Sequence, residues 1–193
     1  MRIGVLALQG GFSEHMEALR RLETPAFELR KQADLEGGLD GLILPGGEST
    51  VMGRLLKETG LFRPLQERIA RGMPVFGTCA GMILLAGRLE NDPAEYFRSI
   101  DITVRRNAYG RQLGSFRTQG EFAGIGLLPM TFIRAPFIAA CGPGARILAR
   151  VDGAGVAAEE GNVLVTAFHP ELTEDLRVHA YFLSRVRGAA IFS

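Results

Sequence analysis

The sequence predicts a single α/β domain built on a mostly parallel, doubly wound sheet with antiparallel additions. Short apolar runs in its first half are continuous rather than alternating, which is typical of parallel strands covered on both faces. Stretches with apolar residues at helical spacing lie between these runs, and this alternation predicts strand–helix–strand units. The chain of 193 residues is 47% hydrophobic and can bury one core, and no linker or repeat interrupts it. We therefore expect one domain over residues 1–193.

The first unit begins at the amino terminus. Residues 2–8 form an apolar run that predicts a strand, and glycines end it. Apolar side chains between residues 12 and 22 then recur at helical spacing, which predicts an amphipathic helix. A short strand at 27–29 precedes a second apolar strand at 41–44, which stops at the turn of residues 45–49.

The middle of the chain continues the alternation. Residues 51–57 are predicted to form a helix, with Ser49 or Thr50 as its N-cap. A second helix over residues 61–71 precedes a strand at 74–77, which leads directly into a further helix. Strands that alternate with helices in this way are expected to lie parallel in one sheet.

Beyond Asn91 the pattern changes, because glycine- and proline-rich turns replace the helices. Apolar runs typical of strands lie at 102–104, around Phe116, at 130–133 and at 147–150. We expect these strands to be antiparallel additions at one edge or end of the sheet. Residues 163–168 then predict the last core strand, and a closing helix follows it.

Composition and charge exclude several classes of function. There are 22 Lys and Arg residues against 21 Asp and Glu, so the net charge of +1 provides no field that attracts nucleic acid or an anionic membrane. No apolar stretch reaches the ~18 residues that a membrane helix needs.

Two cysteines, Cys79 and Cys141, are typical of a reducing compartment, so we expect a cytoplasmic protein. Cys141 has no reactive setting and is expected to be an ordinary buried cysteine.

One cysteine lies between a predicted strand and a predicted helix, in the segment Gly77-Thr78-Cys79-Ala80-Gly81. A nucleophile on such a turn projects away from the sheet, and glycines on either side let the two backbones approach. The amino terminus of a helix also favours the thiolate, which is the reactive form. A buried structural cysteine is the alternative on residue type alone, but the strand–turn–helix setting favours Cys79 as a nucleophile.

A histidine and a carboxylate, His169 and Glu171, follow the last predicted strand. In extended geometry residues two apart point the same way, so Glu171 can orient His169 while the imidazole serves Cys79. Such a cysteine, histidine and acid make a nucleophilic triad, and a satisfied loop histidine is the alternative. The other two histidines, His15 and His179, lie in predicted amphipathic helices, where we expect surface or interface roles.

The turn Pro45-Gly46-Gly47-Glu48-Ser49 ends a neighbouring strand. The N–H groups of Gly47 and Ala80 are candidates for an oxyanion hole, because glycine lets amide groups approach a bound oxygen. A Gly-Gly pair is more often only a turn, but here all three motifs lie at carboxyl ends of predicted parallel strands, where open α/β sheets bind ligands. Adjacent glycines also let a peptide unit rotate, so this turn is the predicted switch of activity.

Together these motifs resemble the triad class of glutamine amidotransferase domains, which carry G-x-C-x-G and a later H-P-E. More narrowly, the sequence resembles the family of glutaminase subunits of pyridoxal 5′-phosphate synthase. Six segments carry this resemblance, which covers almost the whole chain: residues 6–10, 44–50, 76–81, 106–112, 132–136 and 168–175. Phe137 stands where relatives often carry histidine, so no role is expected of that side chain, and the triad is whole.

The resemblance implies a class I glutamine amidotransferase fold and a particular activity. L-glutamine is hydrolysed to L-glutamate and ammonia, and the ammonia passes to a TIM-barrel synthase subunit within a hetero-oligomer that makes the vitamin B6 coenzyme. No metal and no organic cofactor is implied. The positions that match the family's substrate contacts are Gly47, Glu48, Ser49, Arg106, Ile133 and Arg134. A guanidinium can bind the α-carboxylate of glutamine through two parallel hydrogen bonds, and a solvated surface charge is the alternative for both arginines.

Three other functions stay open on the sequence. A cysteine peptidase on a related scaffold would use the same cysteine and histidine, and a non-catalytic regulatory module would not need the intact triad. An amidotransferase subunit of another synthase is the third. If a synthase is the partner, the isolated chain is expected to be a poor glutaminase until it docks, with the contact near Gln9, Gly10, Glu14 and His15.

Overall fold

The computed structural model describes residues 1–90, 92–106 and 114–191. Most of the segment 106–112, which carries part of the family resemblance, therefore lies outside the described residues. Within the described ranges, none of the helices combines the length and the apolar character that crossing a membrane requires.

The described residues form one sheet of twelve strands with five α-helices around it. The strands are β1 (Ile3–Leu6), β2 (Ala26–Leu29), β3 (Gly41–Leu44), β4 (Val75–Thr78), β5 (Ala86–Leu89), β6 (Ile100–Arg105), β7 (Ser115–Phe122), β8 (Gly126–Ile133), β9 (Phe137–Cys141), β10 (Arg146–Val151), β11 (Ala154–Glu160) and β12 (Val163–Thr166). The helices are α1 (Phe12–Arg21), α2 (Ser49–Glu58), α3 (Phe62–Ala70), α4 (Ala80–Leu85) and α5 (Arg177–Ile191), with 3-10 turns at Gln32–Leu35 and Pro170–Leu172.

The centre of the sheet is parallel. Strands β2, β1, β3, β4 and β12 lie side by side in that order, all pointing the same way. Every residue of β1, β3, β4 and β12 is buried, as predicted for strands covered on both faces. The expected fold class is confirmed. Because the strands are parallel, their carboxyl ends meet at one edge of the sheet, and the three motifs follow β3, β4 and β12 at that edge.

The second half of the chain extends the sheet with antiparallel strands. β11 pairs antiparallel with β12, followed by β10 and the hairpin of β7 and β8. β9 branches off to join β11 and β6, and β5 pairs with β6 in parallel. Three strands, β5, β9 and β11, were not predicted. β5 and β11 consist mainly of alanine, glycine and charged residues, and β9 ends in Ala139, Ala140 and Cys141, so each is short of the β-branched and aromatic content typical of strands.

Two local expectations are wrong. Glu48, not Ser49 or Thr50, is the N-cap of α2: its carboxylate accepts hydrogen bonds from the N–H groups of Thr50 at 3.0 Å and Val51 at 2.8 Å. A carboxylate can take two of the free N–H groups of the first turn and also favours the positive end of the helix dipole. Cys141 is exposed rather than buried, because the last three residues of β9 are open to solvent.

Candidate active site

Cys79 lies at the sharp turn between β4 and α4, where its backbone adopts φ 48° and ψ −100°. Residues other than glycine rarely adopt such a conformation, and strain of this kind clusters at functional sites. The flanking glycines allow the turn, because a Cβ on Gly81 would lie 2.1 Å from the carbonyl oxygen of Leu44, and one on Gly77 2.6 Å from the main chain of Gly81. The helix backbone thus packs directly on the strands and holds Cys79 at the end of β4.

Main-chain hydrogen bonds fix the cysteine in place. The N–H of Cys79 donates to the carbonyl of Thr166 at 2.8 Å, and its thiol lies 3.9 Å from the carbonyl oxygen of Ile133. The side chain is almost fully buried. Ala80 is the first residue of α4, and the N–H groups of the first turn have no acceptor within their helix, so this amide is available to a ligand.

His169 and Glu171 form a close pair after β12. Nδ1 of His169 lies 2.7 Å from Oε1 of Glu171, and the main-chain N–H of His169 donates to the carbonyl of Thr131 at 2.8 Å. The expected extended geometry is wrong, because the residues Pro170–Leu172 form a 3-10 turn. The carboxylate therefore curls back to the imidazole through a turn, and Pro170 starts that turn with its φ already fixed.

Charge interactions set the protonation of the pair. Burial by itself lowers the pKa of His169, but its interactions with Cys79 and Glu171 raise that pKa to about 10. Nε2 of His169 has no hydrogen-bond partner at ordinary distance among the described residues, and catalytic hydrogen bonds often tighten only with substrate bound. Burial raises the pKa of Glu171, but His15 and His169 bring it below its ordinary value. At neutral pH the site thus holds an imidazolium beside a carboxylate.

Gly46 and Gly47 bring the end of β3 against the imidazole. A Cβ on Gly46 would lie 2.3 Å from Cε1 of His169, and one on Gly47 would lie 2.5 Å from Oε1 of Gln9. The carbonyl of Gly46 accepts a hydrogen bond from the N–H of Gly11 at 3.0 Å. Because N–H and C=O point in opposite directions in a trans peptide, the N–H of Gly47 points away from Gly11.

A cleft of about 580 Å³ opens over the triad. Its walls are formed by Gln9, Gly10, Gly11, Glu14, Gly46, Gly47, Glu48, Ser49, Cys79, Ile83, Arg106, Ile133, Arg134, His169, Glu171 and Leu172. The structure thus brings together all the sequence-predicted site residues except Ala80, whose side chain does not line the cleft. The sequence analysis missed Gly11, Ile83 and Leu172. A larger groove of about 640 Å³ beside Lys57 and Phe62 contains neither cysteine nor histidine.

Arg106 is held at the rim of the cleft by neighbours that the sequence did not indicate. Its guanidinium lies 3.3 Å from the carboxylate of Asp92, 3.4 Å from the hydroxyl of Tyr96 and 3.3 Å from that of Thr50. About three quarters of the side chain is buried, and Nε has no hydrogen-bond partner among the described residues. Such a preorganised cation can receive a carboxylate, which a mobile surface arginine would do less well.

Arg134 and Ile133 also line the cleft. Arg134 has a left-handed backbone, with φ 43°, and its N–H donates to the carbonyl of Gly114 at 2.6 Å. Its guanidinium is exposed, and none of the described carboxylates pairs with it. Ile133 ends β8 with 41% of its surface exposed, which presents an apolar side chain to the cleft.

The expectation of surface roles for His15 and His179 is wrong, because both side chains are fully buried. Nδ1 of His15 lies 3.0 Å from Nε2 of His179, and Nε2 of His15 lies 3.5 Å from Oε2 of Glu171. His15 is therefore not part of the exposed rim. The sequence carried a signal for this position, since His15 follows Phe12 by three residues and precedes Leu19 by four, on the apolar face of α1.

Fold and side-chain geometry together define a class: an α/β protein with the cysteine, histidine and carboxylate arrangement of a thiol-dependent hydrolase. Within that class, the chain belongs to the SNO glutamine amidotransferase family, whose model matches residues 5–188.

Curated relatives and solved structures agree with this assignment. The chain is 52% identical over 187 residues to pyridoxal 5′-phosphate synthase subunit PdxT of Streptococcus pneumoniae (strain ATCC 700669 / Spain 23F-1), covering 95% of this chain and 97% of the relative. It is similar to a solved glutamine amidotransferase with a TM-score of 0.91 and 46% identity, over 95% of this chain and 98% of that one. A glutamine amidotransferase from Thermotoga maritima shares the fold at 15% identity, with a TM-score of 0.64 over 98% of this chain and 81% of the other.

Proposed function

We propose that this protein is the glutaminase subunit of pyridoxal 5′-phosphate synthase, which hydrolyses L-glutamine to L-glutamate and ammonia for synthesis of the vitamin B6 coenzyme. The observation that carries the proposal is the meeting of Cys79, His169 and Glu171 in one cleft, in a chain 52% identical to a relative that bears this subunit's name. A nucleophile, an acid–base group and an orienting carboxylate are what amide hydrolysis through a thioester requires.

The first half of the reaction forms the thioester. The thiolate of Cys79 attacks the carbonyl carbon of the glutamine side-chain amide, and the N–H groups of Gly47 and Ala80 stabilise the oxyanion of the tetrahedral intermediate. The imidazolium of His169 donates its proton to the amide nitrogen. The carbon–nitrogen bond then breaks, ammonia leaves and the carbonyl re-forms as a glutamyl thioester.

The second half releases glutamate. Neutral His169 accepts a proton from water, and the resulting hydroxide attacks the thioester carbon. The carbon–sulfur bond breaks, which restores the thiolate of Cys79 and the imidazolium of His169. Glu171 keeps its charge throughout, because it accepts the Nδ1–H of His169 and stabilises the imidazolium without taking its proton.

Charged groups that line the cleft select glutamine. Arg106 and Arg134 pair with the α-carboxylate, and the carboxylate of Glu48 attracts the α-ammonium group. Burial raises the pKa of Glu48, but the hydrogen bonds from the N–H groups of Thr50 and Val51 bring it below its ordinary value. Glu48 is therefore ionised at neutral pH, and its position is fixed by the helix that it caps.

The ammonia acceptor is a TIM-barrel synthase subunit that docks at the open side of the cleft. Gly10 and Glu14 are exposed there, and Leu172 adds an apolar surface that is 37% exposed. Docking at this rim reaches the oxyanion hole through Gln9, whose Oε1 accepts a hydrogen bond from the N–H of Glu48 at 2.8 Å. The turn at Gly47 therefore remains the predicted element through which docking of the synthase raises the glutaminase activity.

We place the reaction in the cytoplasm, where free thiols remain reduced.

Ammonia release from free glutamine, measured with and without the synthase subunit, tests the proposal. We expect activity that rises as synthase is added and is abolished in Cys79→Ala, because that substitution removes the nucleophile that His169 and Glu171 serve. Cys141→Ala is the matched control, since it removes the other free cysteine, and it should retain activity. Full turnover in Cys79→Ala, or cleavage of a peptide library without hydrolysis of glutamine, would overturn the assignment.

A further inference from the structure

A chain of buried polar groups lies behind the triad, on the side of Glu171 away from His169. Oε1 of Glu171 pairs with His169, while Oε2 is buried and lies 3.5 Å from Nε2 of His15. The same nitrogen is 3.2 Å from the hydroxyl of Thr78, and Nδ1 of His15 is 3.0 Å from Nε2 of His179. Three elements far apart in sequence, α1, β4 and α5, thus meet around His15, which faces the carboxylate.

The position of each partner fixes the tautomers of the two histidines. Nδ1 of His179 is buried without a hydrogen-bond partner among the described residues, so a proton there would be an unsatisfied donor. The proton of His179 therefore lies on Nε2 and is donated to Nδ1 of His15. His15 must then carry its own proton on Nε2, which faces the carboxylate of Glu171 and the hydroxyl of Thr78.

Burial keeps both imidazoles neutral. Burial lowers the pKa of His15, although Glu171 and Glu14 oppose this and His169 adds to it. Burial and the neighbouring His15 lower the pKa of His179 to about 3. A neutral Nε2–H of His15 can stabilise the carboxylate of Glu171 without becoming an acid that competes with His169 for the leaving group.

We propose that His15 is a positioning residue of the glutaminase reaction, which holds Glu171 ionised and oriented by directing its Nε2–H at Oε2. This inference rests on the proposed function. His15 does not line the cleft, so it touches no substrate and acts only through Glu171 and His169. A buried carboxylate needs stabilisation of both oxygens. Oε2 accepts no hydrogen bond at ordinary distance among the described residues, so it depends on the charge–dipole contact with the Nε2–H of His15, 3.5 Å away.

Two amide variants separate this role from simple packing. The amide nitrogen of glutamine reaches the position of Nε2, so His15→Gln keeps a donor facing Glu171. The asparagine side chain is shorter and reaches only the position of Nδ1, where its Oδ1 can accept the Nε2–H of His179, so His15→Asn keeps the contact with His179 and loses the one with Glu171. Leu19→Ala is the stability control, because Leu19 is fully buried on the same helix and lies outside the chain of polar groups.

The readout is the pH dependence of Cys79 alkylation by iodoacetamide in the full chain, followed by peptide mass spectrometry so that Cys141 is counted separately. It needs neither glutamine nor synthase, so it stays informative even if the proposed function fails. In His15→Asn we expect the half-maximal pH to rise by about one unit, because the imidazolium that stabilises the thiolate of Cys79 is held less well once Glu171 loses the contact with His15. With the synthase present, kcat for glutamine should fall about 10- to 100-fold in His15→Asn with little change in KM.

His15→Gln and Leu19→Ala should both give the wild-type pH profile. The proposal is overturned if His15→Asn matches wild type, if both amides shift the profile equally, or if Leu19→Ala shifts it as much. A second measurement needs no variant and therefore does not depend on folding of the mutants. Nitrogen-15 NMR of the wild-type imidazoles should show His15 neutral with its proton on Nε2 near pH 7, and a proton on Nδ1 instead would also overturn the proposal.

Discussion

Adding one methyl group at Gly46 should disable the imidazole without removing any catalytic group. The φ of Gly46 is not in the left-handed region, so alanine is acceptable to the backbone, and the effect comes from its Cβ alone. That atom would lie 2.3 Å from Cε1 of His169, whereas real contacts are not closer than 3.0 Å. The ring must therefore retreat by at least about 0.7 Å, and because a misplacement near 1 Å costs up to about 100-fold in rate, we expect kcat to fall about 10- to 100-fold.

Steady-state ammonia release in the presence of the synthase measures this effect, with thermal unfolding measured in parallel. Crowding of this kind costs about 1–3 kcal/mol of stability, which leaves a folded enzyme to assay. Gly188→Ala is the matched control, because a Cβ there meets no atom within 4 Å, and both stability and kcat should be retained. Wild-type kcat in a folded Gly46→Ala variant would refute the argument that this glycine exists to admit the imidazole.

Two further predictions concern substrate binding and pH. Arg106→Ala should raise the KM for glutamine about 10-fold or more with a smaller change in kcat, because a bidentate partner of the substrate carboxylate is lost. Unchanged kinetics would show that Arg106 is only a solvated surface charge. The raised pKa of His169 means that its proton is kept at neutral pH and lost as the pH rises through about 10. The fall of kcat/KM at high pH should therefore have its midpoint near that value. A midpoint near 6.5 would contradict the assignment of the His169 imidazolium as the general acid.

The parallel core and the cysteine turn were predictable because their signals are local. Continuous apolar runs followed by glycine-rich turns mark β1, β3, β4 and β12 wherever they pair, and the glycines around Cys79 are required by the turn itself. Since parallel strands must align their carboxyl ends, the sequence also implied that Cys79, His169 and the Gly46–Gly47 turn would meet.

The failures involve residues whose environment comes from distant parts of the chain. The helical spacing around His15 already placed it on the apolar face of α1, yet an imidazole is buried only if partners satisfy its nitrogens. Those partners are His179, 164 positions away, and Thr78, 63 positions away, and no local pattern indicates them. The ion pair of Arg106 with Asp92 and its hydrogen bond to Tyr96 were not predicted for a similar reason. A guanidinium can bind partners in many directions, so the sequence does not indicate which side chains it contacts.

The sequence by itself determined the fold class, the nucleophile and the family resemblance, because backbone periodicity and glycine-dependent turns are properties of short segments. Only the tertiary structure decided that Glu171 is enclosed between two histidines and that Glu48 caps α2 while facing the cleft. The physical reason is that burial and charge depend on what surrounds a group in three dimensions. The ionisation of Glu171 is therefore set by His15 on α1, the first helix of the chain, as much as by the segment after β12 that carries Glu171 itself.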